Sequence, residues 1–234
     1  MVTADVPRAP LRGIPRLGYW SALMTALLAA IFLAMGMFGS SYTEGITYPY
    51  VLTTIRSVDY LLWIPAFFMA FTVIILLCCL HAQAPPEKKI YSEISLAFGI
   101  LYAAIMIPDL FLQWTVVLPS LAHNETAAIS LLSQYNPHGV FIAIESLGYL
   151  LLDTALLFTA AVFTGKARLE RALKWLFITA FILNIAMFLV ILLTRNNIVV
   201  FEVVAVTVNV AVLITAGILL SRWFTRFPPE HTGS

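Results

Sequence analysis

Seven polar residues set in apolar surroundings have chemistry to offer: Asp109, Gln113, His138, Glu145, Tyr149, Asn184 and Glu202. Their environment decides what that chemistry is. A carboxylate in hydrocarbon with no base beside it either takes up a proton or holds a cation, and ionisable residues within spans are functional candidates by default. Asp109 and Gln113 stand four residues apart, as do Glu145 and Tyr149, so each pair shares one helix face. The set reads as a polar pocket for a proton, a small cation or an amine-bearing solute. Asp109, Glu145 and Glu202 supply negative charge, Gln113, Tyr149 and Asn184 orient the bound group, and His138 guards the entrance. Asp59 and Asp153 are further carboxylates in or at the edge of spans. Pro108 and Pro65 each leave a carbonyl one turn back without its donor and bend the helix, which is one way to open a small cavity.

Two other readings compete. His138 and Glu145 could perform acid–base or metal chemistry on a lipid-like substrate, which would make the chain a membrane-embedded enzyme. Alternatively the polar groups only hold helices together, as in a non-catalytic partner or assembly factor. The enzyme reading lacks a signature: there is no HExxH, GxSxG or Walker loop. A zinc site would have to recruit His123 and His138 without tight spacing. No cofactor is expected. Cys78 and Cys79 are adjacent in an apolar run and read as small apolar residues.

The elements that must position these groups are membrane helices. Of 234 residues, 61% are hydrophobic and 11% charged, whereas soluble domains are about 25% charged. The expected partner is the lipid bilayer. No basic stripe suits nucleic acid. Six apolar stretches are long enough to cross: Tyr19–Phe38, Val58–Leu80, Ser92–Leu118, Pro137–Phe163, Ala172–Leu193 and Ile198–Phe224. The fold class is therefore all-α, a six-helix transmembrane domain over 19–224 with tails at 1–18 and 225–234. The first stretch is too long for a removed signal segment. Eleven of the thirteen Lys and Arg residues fall on one side, and only Arg56 and Arg195 on the other. That bias predicts both termini in the cytoplasm. It also sets depth: Glu145 and Asp153 lie about two and four turns below the outer surface, and Glu202 about one.

The fourth helix is predicted to start at Asn136, a favoured N-cap, with Pro137 in its first turn. Just before it, Thr126–Gln134 is expected to lie as a short helix on the membrane surface. Asn124-Glu125-Thr126 matches a glycosylation sequon.

Three segments, "LQWTVVLPSL" (Leu112–Leu121), "QYNPHGVFIAIESLGYLLL" (Gln134–Leu152) and "FEVVAVTVN" (Phe201–Asn209), resemble parts of uncharacterised prokaryotic multi-pass membrane proteins. The likeness covers the latter two-thirds of the chain. It implies a multi-helix fold in a prokaryotic cytoplasmic membrane, and no chemistry.

Overall fold

The computed structural model describes residues 13–38, 61, 63–123, 125, 129, 131–133, 136, 138–195 and 198–227. All regular structure among them is helical. The helices are α1 (Gly13–Phe38), α2 (Trp63–Gln83), α3 (Lys89–Leu112), α4 (Leu118–Ala122), α5 (Val140–Val162), α6 (Arg168–Thr194) and α7 (Ile198–Phe224). A 3₁₀ turn, Pro86–Lys88, leads into α3, and a π-helical segment, Gln113–Val117, joins α3 to α4. Six helices are long and apolar enough to span a membrane, with α3, the π segment and α4 forming one of them. Asp59, Arg56, Asn124, Pro137 and most of Thr126–Gln134 lie outside the described residues.

Two expected boundaries need correction. The first helix starts at Gly13, six residues before Tyr19. Arg16 does not interrupt it, because the side chain is exposed and a long stem can carry the charge outward.

The second correction is larger. The span carrying Glu145 starts at Val140, with Gly139 as N-cap, four residues beyond Asn136. Asn136 uses its side chain differently: Oδ1 accepts from the His138 N–H at 3.0 Å. Its carbonyl accepts from the Gly139 N–H at 2.8 Å, and the Val140 N–H goes to Leu131 O at 2.7 Å. This is a side-chain-stabilised turn, so Asn136 closes the preceding loop instead of opening the helix. Gly139 is needed there, since a Cβ would lie 2.9 Å from Leu131 O and 3.0 Å from Asn136 O.

The packing forms a ring. α1 packs on α2, α2 on α3, α3 on α5, α5 on α7, and α7 returns to α1; α6 sits outside, against α5 and α7. Within a bilayer, close approach and interhelical hydrogen bonds hold helices together, because lipid is as apolar as the side chains. The α1–α7 contact uses small residues. Gly18, Ala22 and Ala26 recur every fourth residue on α1, and Gly217 of α7 lies directly against Ala22 and Ala26. Hydroxyls tie two other pairs. Thr25 Oγ1 donates to Thr72 Oγ1 at 2.9 Å between α1 and α2. Ser95 Oγ of α3 meets Thr159 Oγ1 of α5 at 2.7 Å and donates to Ala155 O at 2.8 Å. α6 buries a single stripe, Leu173, Phe177, Ala180, Asn184 and Ile191, and leaves its other faces to lipid.

The Lys/Arg bias yields a topology expectation. Glu125 and Lys166 are both exposed, in connections on opposite sides of α5. In a background with Cys78 and Cys79 replaced by alanine, Glu125→Cys should react with an impermeant maleimide in intact cells. Lys166→Cys should react only after permeabilisation. Equal reactivity of the two in intact cells would overturn the arrangement.

Candidate functional site

Glu145 is the centre. It lies on the face of α5 that turns into the ring and is fully buried. One helical turn below it, Tyr149 Oη donates to Glu145 Oε1 at 3.1 Å. From α7, the Glu202 carboxyl group approaches closely enough to share a hydrogen with Glu145. From α3, Asp109 lies within electrostatic range of both. Three adjoining helices thus each contribute one buried carboxyl group. Among the described residues acting on Glu145, none is basic, and Arg195 is exposed at the end of α6.

The backbone around Asp109 explains its position. Pro108 has no N–H, so the carbonyl one turn back loses its donor. One turn further the helix widens: the Leu118 N–H reaches back five residues to Gln113 O, the mark of a π turn. Such turns insert one extra residue and recur at functional sites. Here the widening begins at Gln113, a turn beyond Asp109. Gln113 Nε2 donates to Leu132 O at 2.9 Å, tying the connection ahead of α5 to the end of α3. Towards the Lys/Arg-poor end an aromatic layer crosses the ring. Trp63 stands 5.9 Å from Phe32 and 5.9 Å from Phe141, which lies one turn above Glu145.

This arrangement is polar beyond its own satisfaction. Asp109 Oδ2, Gln113 Oε1, Glu145 Oε2 and Ser146 Oγ are buried without a hydrogen-bond partner. Unmade bonds of this kind cost about 1–3 kcal/mol each.

Of the residues expected in the pocket, Asp109, Gln113, Glu145, Tyr149 and Glu202 lie in or beside this cluster. His138 does not; it is exposed in the turn before α5, outside the buried group. Asn184 also lies elsewhere. Its Nδ2 donates to Asp153 Oδ2 at 2.7 Å, joining α6 to α5, and Asn209 of α7 also reaches Asp153. Glu145 and Asp153 are eight residues apart, hence about 12 Å along the helix, so this second cluster is a separate, deeper one.

Sequence reasoning passed over Tyr102, Ser146 and Asn209. Tyr102 interacts with Glu145 and lies seven residues before Asp109. Asn209 lies seven residues after Glu202. Two-turn spacing from an identified carboxylate was the available signal.

Among the described residues no three of His, Cys, Asp and Glu come together as a metal ion requires. His123 Nδ1 is engaged with Pro119 O at 2.8 Å, and His138 is exposed. The zinc-hydrolase version of the enzyme reading therefore finds no ligand set in these residues. A small cavity lies deeper, about 10 Å³ in volume and lined by Thr25, Leu76, Leu156, Phe177 and Gly217 among others. It is apolar almost throughout and belongs to neither cluster. Comparison with known proteins adds nothing to this geometry: no protein-family model, curated protein or solved structure matches the chain.

Proposed function

We propose that this membrane protein binds or moves a small positively charged species, a proton, a cation or an amine-bearing solute, at Asp109, Glu145 and Glu202. The observation that carries the reading is three buried carboxyl groups on three adjoining helices, within electrostatic range of one another and with no base beside them among the described residues. Three negative charges cannot share a low-dielectric space uncompensated. With no base beside them among the described residues, the compensating positive charge comes from solution, as protons or as a bound cation. Tyr149, already hydrogen-bonded to Glu145, supplies a hydroxyl to orient it. The expected location is a prokaryotic cytoplasmic membrane with both termini inside. The distribution of Lys and Arg supports the orientation, and the resemblance to uncharacterised prokaryotic multi-pass proteins supports the membrane.

Purified protein reconstituted in liposomes with an internal pH dye provides the test. Under an imposed pH gradient or membrane potential, the protein should pass protons, or collapse the gradient when Na⁺, K⁺ or methylammonium is added. Traces identical to protein-free liposomes under all of these conditions would reject the proposal.

A further inference from the structure

Below the outer carboxyl groups, α5, α6 and α7 each place one polar side chain at a common junction. Asp153, Asn184 and Asn209 are all fully buried. Each amide nitrogen there has a partner: Asn184 Nδ2 donates to Asp153 Oδ2 at 2.7 Å, and Asn209 Nδ2 to its own helix at Ala205 O, 3.0 Å away, while Asn209 also reaches Asp153. The oxygens are not accounted for. Asp153 Oδ1, Asn184 Oδ1 and Asn209 Oδ1 are all buried without a hydrogen-bond partner. One atom from each of three contacting side chains is thus left over, and all three are acceptors.

The charge narrows what can complete this group. When ionised, Asp153 brings one negative charge, and no Lys or Arg lies inside α5, nor in α6 or α7 at this depth. One monovalent cation makes the site neutral, whereas a divalent ion would leave a positive charge in the membrane interior. A proton also neutralises Asp153. However, a protonated carboxyl has one O–H to give and serves one acceptor, which leaves an amide oxygen still unpaired. A cation can accept all three oxygens together. Carboxylate and amide oxygens are hard ligands suited to alkali and alkaline-earth ions, and the charge selects the alkali class.

We infer that Asp153, Asn184 and Asn209 form a binding site for one alkali cation of the Na⁺ class at the α5–α6–α7 junction. The site is distinct from the Glu145 cluster, about 12 Å along α5. The ion joins α6, which otherwise touches the ring through one apolar stripe, to two ring helices.

The test uses the purified full chain in detergent or nanodiscs, melted in LiCl, NaCl, KCl or choline chloride at equal ionic strength. ²²Na⁺ binding is measured in parallel. At saturation, one or more alkali ions should raise the melting temperature above choline by about 5 °C or more, as expected for a ligand near a hundred times its Kd. The comparison is made in a Glu145→Gln background, which disables the outer cation site, so the alkali-specific shift and ²²Na⁺ binding that remain belong to this site alone. Adding Asp153→Asn to that background should abolish both, and adding Asn209→Leu should weaken both. If wild type shows no alkali-specific shift and no saturable ²²Na⁺ binding, the inference fails, whether or not any variant folds. Absence of binding in the Glu145→Gln background, or its retention there after Asp153→Asn, moves the ion elsewhere and equally overturns the inference.

Discussion

Replacing Glu145 with glutamine should leave the fold intact and reduce proton- or cation-dependent flux to that of empty liposomes. The two side chains have the same shape. Glutamine keeps an oxygen to accept from Tyr149 Oη, which now lies 3.1 Å from Glu145 Oε1. Its amide N–H can donate to Glu202, the carboxyl group that approaches Glu145 from α7. What disappears is a charge and a proton that can be exchanged. Glu145→Leu is the informative contrast. It also removes the acceptor and leaves a buried tyrosine hydroxyl unpaired, at a cost of about 1–3 kcal/mol. Flux and melting temperature, measured on the same preparations, separate the two effects. If Glu145→Gln transports like wild type, the residue serves only to hold helices and the proposed role is wrong.

Gly217→Ala should be the most damaging single methyl added to the protein. A Cβ at Gly217 would lie 2.5 Å from Ala22 O, 2.7 Å from Ala26 Cβ and 3.1 Å from Ala26 N. Two of these atoms belong to backbone and cannot rotate away. Either α1 moves outward or α7 shifts along its axis, and both disturb the ring at the contact where α1 and α7 meet. Overpacking of this kind costs about 3 kcal/mol at its upper end, or on the order of 10 °C in melting temperature for a chain of this length. Gly36→Ala makes the same chemical change on α1 with nothing within 4 Å of the new atom. There the better helix propensity of alanine should prevail, with a gain of about 0.5–1 kcal/mol. Equal melting temperatures for the two variants would refute the tight α1–α7 approach.

The spans were legible because each is an apolar run bounded by polar or proline-containing turns, and Ile198–Phe224 falls at the expected residues. The grouping of Asp109, Glu145 and Glu202 was partly legible, since unpaired carboxylates in spans turn towards protein. The partner of Asn184 was not. Its place in a stripe of α6 with Leu173, Phe177 and Ala180 can be read locally, but which helices receive that stripe is a matter of tertiary order. The ring places α6 outside α5 and α7, and so takes Asn184 to Asp153. The start of α5 failed for a local reason that no propensity captures. Asn136 has one side-chain oxygen, and the His138 N–H claims it before a helix can. The π segment gave no signal beyond Pro108, because one inserted residue leaves the apolar pattern almost unchanged.

The closure of the ring through α1 and α7 also bears on biogenesis. Helices leave the translocon in sequence order, so α1 enters the bilayer with α2 but waits for α7 to meet its other neighbour. Until then Asp109 and Glu145 stand in an open arc of helices, with Glu202 not yet beside them. Their charge must be managed by protons or water in the meantime. The carboxyl cluster is thus a late product of assembly, completed at the same moment as the seam that encloses it.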